Sequence, residues 1–160
     1  MQTVVQMQPI GRVSNPVAWG QKDVRWEEIV SRVTLFPRWA EGLEGIDEFS
    51  HIMVIFYLDR ARKDGVLNLR TRPMGRKELP EVGIFATRSP FRPNGIGVTT
   101  VELLARDGAA LRVRGLDAYD GTPVLDVKPY LSRGDEIQGA RMARWAEQLW
   151  QMLDQEHQEG

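Results

Sequence analysis

The sequence predicts a mainly β fold: a small β-barrel over about residues 4–134, short helical turns, and an amphipathic C-terminal helix at about 139–157. Three observations carry that expectation. Short apolar stretches recur at close intervals, separated by Pro, Gly, Asn and Asp turn signals. They do not alternate with long helical patterns, which disfavours a doubly wound nucleotide-binding fold. One helix-period segment follows them at the C-terminal end. An open α+β sheet is the alternative. The 160 residues suit a single domain, 1–160, with a sizeable core.

The first strand is expected over Val4–Val13, ending at the turn-like Ser14-Asn15-Pro16. Val30–Leu35, "VSRVTL", alternates apolar and polar residues, as a half-buried strand does. In "FPRWAEGLEGI", Pro37 suits a helix start while Gly42 and Gly45 suit its stop, so a helical turn or two fits. "FSHIMVIFYLD" (49–59) is apolar on both faces and reads as a central strand. The arginine-rich segment after it contains Pro73, Gly75 and Pro80 and reads as a long loop, which in a compact domain is usually functional or disordered. Val82–Thr87 and Ile96–Leu104 read as strands flanking "RSPFRPNG". Asp107-Gly108 is a hairpin signal, and two more strands are expected around Asp120-Gly121. Met142, Trp145, Ala146, Leu149, Trp150 and Leu153 then share one helical face, an aromatic stripe for core or dimer packing.

Composition excludes several classes. Hydrophobic residues at 42% and charged residues at 27% are ordinary for a soluble globular chain. The absence of cysteine excludes disulfides and thiolate-held zinc. With only His51 and His157, a histidine metal site lacks ligands, so no metal is expected. A Ser-His-Asp hydrolase would need His51 as its base, and His51 reads instead as structural. The run Ile52–Leu58 is too short to span a membrane and the N-terminus has no signal-peptide pattern, so the cytoplasm is expected. The net charge of −1 hides an asymmetry: from Arg60 to Arg92 nine Lys/Arg face Asp64, Glu78 and Glu81, a local +6 that leaves −7 elsewhere. Such a block points to an anionic partner, or to a solvated loop countered from elsewhere in the fold.

Three stretches could carry chemistry. "GIFATRSPFRPNGIGV" (83–98) holds two prolines that fix φ and remove donors, Asn94-Gly95 to reverse the chain through positive φ, and two arginines with no acid. It reads as a stiff ligand loop, since arginine takes carboxylates and phosphates in a bidentate manner, or else as a surface turn paired with neighbouring acids. In "LDAYDGTPVLDVKPY", Asp120-Gly121 alone reads as a hairpin turn. Tyr119, Asp117 and Asp120 would nonetheless set an aromatic face beside two acceptors. Asp59-Arg60 ends the central strand at a natural pocket rim.

Taken together, "GLEGIDEFSHIMVIFYLD", "GIFATRSPFRPNGIGVTTVELL" and "LDAYDGTPVLDVKPYL" resemble the TsaA-like (TrmO) family over about residues 6–134. The resemblance implies a small β-barrel that forms a homodimer and binds S-adenosylmethionine near the subunit interface. It also implies methyl transfer to N6 of threonylcarbamoyl-adenosine beside the anticodon of tRNA. Carried over by motif, cofactor contacts fall on Arg88, Val98, Ala118, Tyr119, Asp120 and Gly121, with Asp59 and Arg60 standing where longer members bring a His-Gln pair. The chain departs from the family where Gly95 replaces a proline of "RPNPIG", expected to loosen the turn. It departs again where "AWGQKD" (18–23) replaces a Pro-Arg-Gln, with Gln21 the one remnant.

On that reading Arg88 serves the cofactor carboxylate, since a cation beside the sulfonium would be repulsive. Arg72, Arg76, Lys77 and Arg92 are then candidates for the RNA backbone. Asp120 is the candidate catalytic group, an acceptor that orients the nucleophilic N–H and takes its proton, with Tyr119 as a stacking face. The alternatives are an S-adenosylmethionine-binding barrel without methyl transfer, and a methyltransferase with a substrate other than tRNA.

Overall fold

Apolar residues at every second position give this chain short strands with one buried face, and six of them close on themselves. The computed structural model describes residues 3–61 and 67–159. Its strands are β1 (Gly11–Ser14), β2 (Val30–Leu35), β3 (His51–Tyr57), β4 (Arg70–Thr71), β5 (Val82–Gly83), β6 (Ile96–Asp107), β7 (Ala110–Arg114) and β8 (Pro123–Pro129). Two helices follow, α1 (Ser132–Asp135) and α2 (Arg144–Glu159). The closed barrel runs β1-β2-β7-β6-β3-β8, every neighbouring pair antiparallel. Among the described residues, no helix is long and apolar enough to cross a membrane.

The chain divides into two compact units, residues 1–65 with 94–131 and residues 66–93 with 132–160. The first holds the barrel. Its inward positions, Val33, Ile52, Val54, Val101, Leu111, Val113 and Val124, are almost fully buried and form one core. Gly97 sits opposite Phe56 in the β3–β6 pairing, and a Cβ there would lie 2.4 Å from the Phe56 ring. Only glycine lets that ring fill the barrel interior.

Each mouth of the barrel has its own plug. Beyond Leu35 the chain makes a 3₁₀ turn over Pro37–Leu43 and another over Ile46–Glu48, which bury Leu43. A cavity of about 230 Å³ lies there, lined by Ile10, Leu35, Trp39, Ile46, Asp126 and Val127 among others. At the opposite mouth β7 does not turn back on β8. Residues 115–122 instead pass from β7 to β8, which are not neighbours in the barrel, and bury Leu116 and Ala118 in the core. Full burial of a leucine side chain contributes about 1.5–3 kcal/mol.

Several local expectations change. Only Gly11–Val13 of the expected Val4–Val13 strand forms, and β1 runs on to Ser14; its partner β2 ends at Leu35, opposite Gly11, and Val4, Val5 and Met7 stay exposed. Asp120-Gly121 is not a hairpin, since the strands on either side of it are not neighbours. Asp107-Gly108 does mark one: Asp107 pairs with Ala110, so Gly108 and Ala109 form the two-residue turn. Gly108 takes φ +57° there and Ala109 needs no positive φ, the pattern of a type II′ turn.

In the second unit, β4 and β5 form a two-stranded ribbon, Arg70 opposite Gly83 and Thr71 opposite Val82. The expected Val82–Thr87 strand therefore stops at Gly83, since its partner is only two residues long, and Ile84–Ala86 form a 3₁₀ turn with Ile84 buried. Helix α2 begins at Arg144, so Met142 lies outside it. The half-buried stripe is Trp145, Ala146, Leu149, Met152 and Leu153, while Trp150 is 59% exposed. Arg62, Lys63 and Asp64 of the basic block lie outside the described residues.

Candidate functional site

The antiparallel register fixes which loops meet. β1 and β3 end, and β6 and β8 begin, at the mouth crossed by residues 115–122: Arg12 faces Pro123, Phe56 faces Val124 and Tyr57 faces Ile96. Asp59-Arg60, the Gly95–Val98 stretch and Ala118–Gly121, distant in sequence, therefore share one end of the barrel.

Asn15 organises that end. Its side-chain amide donates to Ser31 Oγ and to the Ala118 carbonyl, both at 2.9 Å, while its Oδ1 accepts the Val17 N–H at 3.0 Å. The Asn15 backbone N–H donates to Asp120 Oδ1 at 3.1 Å. Backbone bonds then seat the turn on β1 and its exit: Asp120 N–H to the Val17 carbonyl, Gly121 N–H to the Val13 carbonyl and Val13 N–H to the Thr122 carbonyl, each at 2.9 Å. Gly121 has φ +82°, which an L side chain rarely adopts.

Two guanidinium groups approach Gly121. Arg12 Nη1 donates to the Gly121 carbonyl at 3.0 Å, and a Cβ on Gly121 would lie 3.0 Å from Arg60 Nη2. Arg60 is exposed and has no hydrogen-bond or ion-pair partner among the described residues. Asp120 is exposed, and among the described residues only its Oδ1 is engaged. Among the described residues, this end of the barrel thus carries a cation without a partner next to Gly121 and a carboxylate oxygen without one on Asp120. Thr99, next to Val98, donates its hydroxyl to Asp117 Oδ1, tying the start of β6 to the same turn. Val98 faces outward and is 49% exposed.

Tyr119 is flanked by two indoles, Trp19 at 5.0 Å and 75° and Trp26 at 5.3 Å and 79°, both edge-to-face. Its hydroxyl reaches the Gln21 carbonyl at 3.4 Å, so Gln21 meets the turn through its backbone. Asn15, Trp19 and Trp26 were missed by sequence reasoning. Asn-Pro and a pair of tryptophans in an otherwise irregular stretch were the available signals, and only the fold brings them to Tyr119.

Gly95 does not use the positive φ expected of Asn94-Gly95; neither residue has one. The Ile96 N–H donates to the Asn94 carbonyl at 2.7 Å, which makes Gly95 the centre of an inverse γ-turn, and the Gly95 carbonyl accepts from Leu58 at 2.7 Å. That turn needs φ near −75°, close to the value proline imposes. The turn is closed by its own hydrogen bond despite the glycine.

The second unit divides its cations by their partners. Arg92 is half-buried and its Nη1 donates to the carbonyls of Thr87 (3.1 Å) and Ser89 (3.2 Å), so it holds its own loop. Arg72 Nη1 donates to the Leu79 carbonyl at 2.8 Å. Arg76 makes a bidentate pair with Glu156, both contacts 2.8 Å, and the hydrogen bonds hold the Glu156 carboxyl below its usual range. Arg88 and Lys77 are exposed and have no partner among the described residues.

The family model for the tRNA-methyltransferase O N-terminal domain matches residues 20–136. The chain belongs to the TrmO family. A probable S-adenosyl-L-methionine-binding protein of Archaeoglobus fulgidus is 40% identical over 148 residues, covering 91% of this chain and 39% of the relative. A protein of the same description from Pyrococcus abyssi is 39% identical over 157 residues, 95% of this chain and 82% of the relative. The mouse tRNA (adenine(37)-N6)-methyltransferase is 40% identical over 108 residues, 67% of this chain but 24% of that enzyme. The crystal structure of TrmO from Pseudomonas aeruginosa superposes with a TM-score of 0.72 at 29% identity, covering 90% of this chain and 62% of that one. The chain therefore spans well under half of the first of these relatives and about three-fifths of the TrmO structure, whose fold it shares.

Proposed function

We propose that this TrmO-family chain binds S-adenosylmethionine at the barrel mouth built by Asn15, Asp59-Arg60, Val98 and Ala118–Gly121, and methylates an adenine N6 of tRNA. The reading is carried by one observation, the meeting of these segments at one barrel mouth, where among the described residues the Arg60 guanidinium and one Asp120 carboxylate oxygen have no partner. The residues fit the cofactor's chemistry. Arg60 is placed to neutralise a carboxylate, Asp117 and Asp120 can accept from ribose hydroxyls or an ammonium, and Tyr119 with Trp19 offers apolar ring surface. Asp59 and Arg60 stand where the resemblance puts a His-Gln pair in longer family members, so this chain brings an acid and a base to that place.

When bound, the cofactor supplies an electrophilic methyl group. In-line positioning then matters more than strong acid-base catalysis. Asp120 is the residue we assign to the acceptor, orienting its N–H and taking up the proton through the oxygen that Asn15 leaves open. Arg88 is assigned to a phosphate of the RNA, and Lys77 with Arg72, Arg76 and Arg92 to its backbone. The finer target is N6 of threonylcarbamoyl-adenosine next to the anticodon, in the cytoplasm. Tyr57, Ile96 and Val98 are exposed on adjoining strands, which supports a homodimer through this face.

Purified protein incubated with methyl-labelled S-adenosylmethionine and total tRNA tests the reading. Label on tRNA, mapped to the adenosine beside the anticodon, is the expected result. Cofactor binding without transfer would favour a binding barrel, a reading that the names of the archaeal relatives also suit. No cofactor binding would overturn both.

A further inference from the structure

Among the described residues only two non-glycines have positive φ, Asp23 and Met74. Met74 has φ 51° and ψ 22°, a left-handed conformation that an unbranched L side chain enters at a cost and glycine enters freely. Burial does not offset that cost, because the Met74 side chain is 68% exposed. The turn around it is fixed on both sides. Pro73 is buried, the Gly75 N–H donates to the Arg72 carbonyl at 2.9 Å and the Arg76 N–H to the Pro73 carbonyl at 3.1 Å. Arg72 is bonded to the Leu79 carbonyl and Arg76 to Glu156. A rigid frame thus holds one flexible apolar side chain out in solvent.

The surroundings of that tip say what it would meet. Residues 70–77 carry Arg70, Arg72, Arg76 and Lys77 and no acid, and Glu78 follows them and acts on Arg76. Arg76 is paired with Glu156 and Arg70 lies 3.9 Å from Glu81, while Lys77 has no partner among the described residues. An apolar tip among cations suits a polyanion whose backbone is tracked by charge and whose bases can be parted by a wedge. Backbone strain kept at an exposed residue points to function rather than folding. We propose that Met74 is an RNA-contacting wedge, set against an unstacked base while Lys77 and the outer edge of Arg72 meet the flanking phosphates. The inference rests on the RNA reading above and adds a residue and a contact mode to it.

The test measures binding of total tRNA by fluorescence anisotropy across a salt series, together with thermal unfolding, for the full chain and three variants. Met74→Gly should raise Tm, because it removes the left-handed strain. It should weaken RNA binding roughly fivefold or more, the lower end of what one stacked base contributes, with the salt slope unchanged. Met74→Leu keeps the apolar bulk and should bind like the parent. Lys77→Ala should flatten the salt slope by about one. Parent-like RNA affinity in Met74→Gly overturns the wedge, as does a loss of affinity accompanied by a lower Tm. Altered self-association in Met74→Gly with RNA affinity intact would make the tip a protein contact and also overturn it. A parent protein that binds no RNA would sink the RNA reading itself, a result distinct from these.

Discussion

Arg60 and Asn15 show how much a single side chain decides at this mouth. Arg60 has no protein partner among the described residues and lies over the one glycine of the 118–121 turn. Arg60→Ala should leave the unfolding free energy within about 0.5 kcal/mol of the parent, as surface changes do. It should weaken S-adenosylmethionine binding about tenfold or more, the range of a charge-assisted hydrogen bond; titration calorimetry reads the loss. Asn15→Ala is expected to do the opposite. Ser31, 1% exposed, and the Ala118 carbonyl would each lose a donor, which at about 1–3 kcal/mol per orphaned group should be plain in a urea melt. Asn15 reads locally as a turn residue before Pro16. Its reach to positions 31, 118 and 120 belongs to the closed barrel, and no local pattern announces it.

At the scale of elements, the sequence was most legible where a rule is local. The alternation in Val30–Leu35 and the Asp107-Gly108 hairpin both form, since two-residue periodicity and turn chemistry are set by near neighbours. The Asp120-Gly121 turn obeys the same chemistry but joins strands that are not neighbours, a matter of non-local pairing that the dipeptide does not encode. Gly95 extends the lesson. Its γ-turn accepts a negative φ, no bond to its N–H is recorded among the described residues, and its Cβ position meets Leu58 and Tyr57 only at 3.4–3.5 Å. Gly95→Pro should therefore stabilise the chain by about 0.4–1 kcal/mol, read as a rise in urea midpoint. The Arg76–Glu156 pair gives a pH signature in the second unit. Glu156 titrates below its ordinary value when folded, chiefly through the hydrogen bond from Arg76. Its contribution is complete above the unfolded carboxylate range and is lost as pH falls through the lowered folded value. Glu156→Gln should flatten the acid side of the stability curve, and added salt should weaken the parent's slope.

For the barrel unit, closure of six strands brings Asp59-Arg60, Gly95–Val98 and Ala118–Gly121 to one mouth, leaving the cavity beside Trp39 and Ile46 at the other. The motifs and their family were legible because they are long and ordered. Their convergence, and the sorting of cations into bound (Arg72, Arg76, Arg92) and, among the described residues, without a partner (Arg60, Lys77, Arg88), required the fold. The central claim is the location of the cofactor. Backbone-amide NMR of the full chain during titration with S-adenosylmethionine tests it directly. Shifts concentrated at residues 15–21, 58–60, 95–99 and 117–122 are the predicted result. Shifts confined to residues 35–46 and 126–127 at the other mouth, or none at saturating cofactor, would contradict it.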